Sequence, residues 1–161
     1  MDEMLELVVC SDFQAEVEAV IRLEGWSDVT VRTFPQMCGH PNQPALPVQE
    51  NMAGLVDRKN VAVINCARMQ PDLTTANVRQ LPQCCCMLVN RTVIDDAIRR
   101  GRYILTPGWL KNWRGHLAAW GFDQTSARQY FHESLTGLLL LDTGLEEPGR
   151  EHLAEMAEFL D

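Results

Sequence analysis

Apolar positions change period several times along the chain. Leu5 to Cys10 is a short β-prone run that stops at Ser11-Asp12, both good helix caps, and Phe13, Val17, Val20 and Ile21 then recur at helical spacing. Gly25 ends that helix, and Val29 to Phe34 alternates as a second strand closed by Pro35. The start therefore predicts a βαβ unit. From Pro35 to Pro47 the residues are too irregular for either regular element, and connections of that length are often functional. A helix over 47–58 is expected next, followed by the buried strand Val61 to Cys66 and a polar stretch to Gln83.

The second half continues the alternation. Cys84 to Val89 reads as a fourth strand, Asn90 caps a helix ending at Gly101, and Arg102 to Leu105 is a brief strand. Thr106-Pro107 places a capping hydroxyl before a proline at the first helical position, and Trp109, Trp113, Leu117 and Trp120 follow at helical spacing. Thr125-Ser126 opens a helix through Leu135, Leu138 to Leu141 is a fully apolar strand ending in Asp142-Thr143-Gly144, and a helix over 147–160 closes the chain. Alternating strands and helices imply an α/β fold: a mostly parallel, doubly wound, Rossmann-like sheet of about five or six strands covered by helices. One domain over residues 1–161 is expected. The final helix would normally deliver a further strand, so the expectation is the N-terminal part of a longer protein.

Charge narrows the partners. The formal charge is −8, from 14 Lys and Arg against 22 Asp and Glu, which offers no basic field to a phosphate backbone and argues against nucleic acid. The N-terminal segment is acidic, and its apolar run Leu5 to Val9 is too short for a signal peptide or a membrane span, so a cytoplasmic location is expected. Six cysteines in such a chain point to thiols or metal ligands rather than a disulfide framework. Asn90-Arg91-Thr92 matches a glycosylation sequon by chance, since Asn90 suits a helix cap.

The cysteines are the main candidate chemistry. Cys10 closes the first strand, Cys66 closes the third, Cys84-Cys85-Cys86 opens the expected fourth, and Cys38 and His40 sit on the long loop. Ligand sites in open parallel sheets form beyond the carboxyl ends of strands, and thiolate with imidazole there suits zinc or iron. The expected metal set is Cys10, Cys66, Cys85 and His40, with Cys85 chosen because alternation separates it from Cys84 and Cys86. A fourth strand that begins at Cys84 would, if parallel, start at the opposite edge, so it would have to begin later or run antiparallel. Free cysteine also packs as a small hydrophobe, and inert core thiols or a redox sensor are the competing readings. Thr106, Asp142 and Thr143 share one strand-end edge and could bind an anionic cofactor through helix amides, although capping alone explains them. His116, His132 and His152 have no ligand-like spacing and read as surface or cap residues, and the tryptophan series reads first as core.

The run Gly101 to Trp109 with its Thr106-Pro107-Gly108-Trp109 signature, then Trp113 and Leu141-Asp142-Thr143-Gly144-Leu145, resembles an uncharacterised conserved domain family of methanogens and anaerobic bacteria. Cys10, Cys66 and Cys85 match that family's strand-end cysteines in order. The resemblance implies handling of a metal or a metallocofactor such as corrinoid, because its members are often encoded beside corrinoid-dependent methyltransferases. It also implies a further strand after the last helix. The chain departs from cobalamin-binding modules in lacking the D-x-H-x-x-G signature.

These features lead to a metal- or small-ligand-sensing domain as the expected function, with a fused C-terminal output portion and a homodimer both compatible. An accessory enzyme in methyl or sulfur transfer, with a metal-thiolate site, is the alternative. A structural interaction domain with inert cysteines is the third.

Overall fold

The computed structural model describes residues 4–36, 59–66, 78–145 and 149–161. In chain order these form β1 (Leu5–Cys10), a 3-10 turn (Ser11–Phe13), α1 (Gln14–Glu24), β2 (Val29–Phe34), β3 (Val61–Cys66) and β4 (Val78–Leu81). A second 3-10 turn (Cys84–Met87) is followed by α2 (Arg91–Arg99), β5 (Arg102–Leu105), α3 (Pro107–Leu110), α4 (Trp113–Ala119), α5 (Gln124–Ser134), β6 (Gly137–Leu140) and α6 (Gly149–Leu160). The expected α/β class is correct. The chain divides into two compact units, residues 1–84 and 85–161.

The first unit is built on a four-stranded sheet of order β2-β1-β3-β4. All its pairings are parallel: Leu5↔Val29 through Cys10↔Phe34, Glu6↔Val61 through Val8↔Val63, and Val63↔Val78 through Cys66↔Leu81. β1 has a neighbour on each side, which is why Val8, Val9 and Cys10 are all buried rather than alternating. Phe13, Val17, Phe34, Val61 and Val63 are buried with them. Gly25 ends α1 as expected, at φ +68°, its amide donating to the carbonyl oxygens of Arg22 and Ile21.

Two expectations are corrected here. The six strands found among the described residues form two sheets, the second being the parallel pair β5-β6, rather than one. The fourth strand is Val78–Leu81, not Cys84 to Val89. Pro82, which lacks an amide to donate, ends β4, and the cysteines that follow wind into a 3-10 turn closed by Leu88 N and Val89 N donating to Cys85 O at 3.0 and 3.2 Å. Among the described residues β4 pairs with β3 alone, and Arg79 on this edge strand is exposed.

The second unit starts where Asn90 caps α2, its Oδ1 accepting from Thr92 N at 3.0 Å. Gly101 reverses the chain at φ +70° into β5. β5 and β6 run in register from Arg102↔Gly137 to Leu105↔Leu140. The tryptophan segment is two short helices, not one, because the chain breaks at Lys111 and Asn112. Trp109, Trp113 and Leu117 nevertheless enter one core with Leu105, Leu110, Ala127, Phe131, Met156 and Leu160. Tyr103 sets its ring edgewise to Trp109 and Phe131, at 5.8 and 5.4 Å between centroids, and Trp113 does the same with Phe159 at 5.1 Å. The reading of this series as core is therefore the one the packing supports. α5 is capped by Asp123, two residues before Thr125 of the expected Thr125-Ser126 start, through a reciprocal pair: Ser126 N donates to Asp123 Oδ1 at 2.8 Å and Asp123 N to Ser126 Oγ at 3.0 Å.

Candidate functional site

Parallel strands point their carboxyl ends the same way, so the first unit gathers the ends of β1, β2, β3 and β4 on one edge. Beyond the last β1-β3 pair, Val8↔Val63, β1 continues to Cys10 and β3 to Cys66. The β4 correction removes the difficulty of the opposite edge. The cysteine triplet follows β4 rather than opening it, and Cys84 stands three residues past Leu81. The backbone thus carries Cys10, Cys66 and Cys84 off the same edge of one unit. Cys85 and Cys86 begin the next unit. Three residues make one turn of a 3-10 helix, so neighbouring thiols of the triplet fan apart by about 120°.

Cys10 is buried, and Cys84, Cys85 and Cys86 are half-buried. Cys66 is described through its backbone alone, while Cys38 and His40, with the whole expected helix over 47–58, lie outside the described residues. Among the described residues no three His, Cys, Asp or Glu side chains converge to hold a metal ion.

The same edge holds two buried acids: Asp12, expected from the sequence only as a helix cap, and Glu16, which the sequence pattern did not single out. Neither Ser11 nor Asp12 caps the entry to α1. Asp12 instead is 8% exposed and Glu16 7% exposed, one helical turn apart beside Phe13 and Val17. Burial, reinforced by the Glu16 charge, pushes the Asp12 carboxyl up to about 7. The spacing that could have revealed them is Asp12-Phe13 followed four residues later by Glu16-Val17, which puts both acids on the stripe that meets the sheet.

The second unit has its own carboxyl edge. Leu141 N donates to Leu105 O at 2.8 Å, so Thr106 and the Asp142-Thr143-Gly144 turn both follow directly from this paired strand end. Thr106 is buried, and its Oγ1 accepts from Trp109 N at 3.3 Å, leaving the hydroxyl proton to donate elsewhere. Asp142 accepts from Arg150 Nε at 2.8 Å and from Gly144 N at 3.0 Å. Those bonds, the Arg150 one first, hold its carboxyl below the usual range. This edge is a capping arrangement with one carboxylate already matched to a cation.

The histidines occupy other places. His116 lies against the Trp109 ring at 4.9 Å, and burial lowers its pKa although a backbone bond at Trp109 opposes the shift. His132 Nε2 is 3.0 Å from Leu160 O, at the rim of a cavity of about 370 Å³ lined by Phe131, Leu135, Leu138, Leu153 and Leu160 among others. His152 Nδ1 is buried with no hydrogen-bond partner among the described residues.

No helix among the described residues is long and apolar enough to cross a membrane. Fold and edge together define an α/β protein with a parallel sheet whose strand ends bear thiols and buried carboxyls. The chain belongs to the family described as Protein of unknown function (DUF1638), whose family model matches residues 50–161. No curated protein and no solved structure matches the chain.

Proposed function

We propose that the protein is a cytoplasmic metal- or metallocofactor-binding sensory domain whose site lies at the carboxyl edge of the β2-β1-β3-β4 sheet. Cys10 and Cys66 are its first two donors, with one thiol of the triplet and His40 completing the set. The observation that supports this reading is the position of β4, Val78–Leu81, after which the backbone reaches Cys84 within three residues on the side of the sheet where β1 and β3 end. It favours Cys84 over Cys85 as the third donor, because Cys84 falls in the same compact unit. Thiolate and imidazole together suit zinc or iron. The absent D-x-H-x-x-G signature disfavours a corrinoid held by a histidine of that type.

Elemental analysis and an absorption spectrum of anaerobically purified protein test the reading. Stoichiometric zinc or iron that is lost in the Cys10→Ser, Cys66→Ser double variant is the expected result. Protein without stoichiometric metal, or a double variant with unchanged content, refutes it and leaves inert packing as the role of the cysteines.

One observation favours a second reading, an accessory enzyme of methyl or sulfur transfer. Asp12, two residues from Cys10 in sequence, is buried and holds its proton up to about pH 7, the protonation state that a general acid needs. Such an enzyme requires a metal with an open coordination position.

A further inference from the structure

The cavity of about 370 Å³ is formed entirely by residues of the second unit, and its volume falls in the range of small-molecule sites. Phe131 and Leu135 line it from the end of α5, Leu153 and Leu160 from α6, and Leu138 from the start of β6. Leu135, Leu138 and Leu153 pack against the core of the unit yet stay only partly buried, because each also borders this space. A wall of that composition suits an apolar body.

The polar lining decides what that body carries. Among the described residues the polar side chains at the cavity are His132, Thr136 and Asp161. Leu160 O can only accept, so His132 Nε2, 3.0 Å away, carries the proton and donates it there, which leaves Nδ1 of the neutral ring as an acceptor. Thr136 Oγ1 donates its proton to Arg100 O. Asp161 adds a carboxylate, so the lining side chains offer acceptors and no uncommitted donor. Two helices also end here, α5 at Ser134 and α6 at Leu160, and both bring the negative end of a dipole. Gln124 Nε2 and Arg128 Nε already donate to Phe159 O at 3.1 and 3.0 Å, so this end of α6 draws N–H groups from its surroundings. The guanidinium of Arg102 lies over Gly137, on the face of the β5-β6 pair opposite Leu138, and so is turned away from the leucine wall. We propose that the cavity binds a small primary amine with an apolar body: Asp161 and the two helix ends hold the ammonium, and the leucines hold the alkyl or aryl part. The site is independent of the metal reading, which concerns the first unit.

Calorimetric titration of the full chain with phenethylamine, phenethyl alcohol and hydrocinnamate separates the apolar contribution from the charge. In low salt the amine should bind about tenfold more tightly than the alcohol, since the helix ends and the carboxylate each add a modest increment, and the acid should bind most weakly. High salt should narrow the gap between amine and alcohol. Asp161→Asn should weaken the amine by roughly threefold and leave the alcohol unchanged. Ala157→Phe, which puts a ring into the lining, should abolish binding of both. The location is also read in the wild type, from NMR shifts of the His132 ring and the Ala157 methyl group, so the test does not depend on a variant that folds. No saturable binding of any probe up to millimolar concentration overturns the proposal. So does an alcohol or acid that binds as tightly as the amine, binding that survives in folded Ala157→Phe, or shifts confined to residues away from the cavity. Unchanged amine affinity in Asp161→Asn overturns the placement of the ammonium.

Discussion

Thr106→Val separates what Thr106 does for the fold from what it could do for a ligand. Valine keeps the volume and the β-branch that suit the extended residue before Pro107, and removes only the hydroxyl. Thr106 is 4% exposed, so water cannot replace the lost acceptor for Trp109 N. Losing a helix cap costs about 1 kcal/mol, and stranding a buried amide costs about 1–3 kcal/mol. These describe the same donor and do not add. The 3.3 Å bond is long, which places the cost in the lower half of that range, at about 1–2 kcal/mol. Urea titration should show that loss, and exchange at the Trp109 amide should quicken by about tenfold, the equivalent of about 1.4 kcal/mol. A variant within about 0.5 kcal/mol of wild type, with Trp109 still protected, would refute the capping argument and return Thr106 to the list of ligand contacts.

Two further outcomes follow from the structure. Asp12 is protonated in the folded chain up to about pH 7 but has a reference value of 3.8, so between those limits the folded state carries the extra proton and stability falls as pH rises. Below the window both states are protonated, and above it both are ionised and the loss is complete. Measured in chelator by urea titration, Asp12→Asn should gain on wild type by about 3 kcal/mol from pH 5 to pH 8, at about 1.4 kcal/mol per unit; a difference that does not change with pH would count against the buried acid. Gly101→Ala should cost more than Gly25→Ala: both sit near φ +70°, but a Cβ at Gly101 meets Thr136 Cγ2 at 3.2 Å while Gly25 faces open space. Left-handed strain alone accounts for about 1–2 kcal/mol at each, and equal urea midpoints would show that Thr136 yields without cost.

The parts of the fold that are legible in the sequence are those with local chemistry. Leu5 to Phe34 announces itself because the period of apolar residues changes from strand to helix and back, with Gly25 and Pro35 as stops. Asn90, Gly101 and Thr106-Pro107 are equally plain, each satisfying backbone groups within four residues of itself. β4 is not legible, because an edge strand needs little apolar content and Val78-Arg79-Gln80-Leu81 resembles a polar connection. The apolar cysteine run beside it has the stronger strand pattern, yet it winds into a 3-10 turn, because hydrophobicity does not distinguish a strand from a tight turn. The separation into two sheets depends on long-range pairing that no local pattern encodes. At the site, the strand-end positions of Cys10 and Cys66 are readable from sequence, but the burial of Asp12 and Glu16 is not, since acids at a helix entry ordinarily mean solvent and a favourable dipole.

The position of β1 at the heart of its sheet also sets the order in which the chain can mature. Its first partner begins at Val29, while the other starts only at Val61, and β4 cannot dock until Val78 to Leu81 has emerged. The pair β5 and β6 is complete within the span from Arg102 to Leu140, a shorter stretch than the one from Leu5 to Cys66 that β1 and β3 enclose. Contacts between segments far apart in sequence form slowly because a long loop must close before they reward it. The N-terminal unit, although synthesised first, therefore waits with an exposed strand edge for much of translation, and it is the portion of this chain whose yield should depend most on chaperones and temperature.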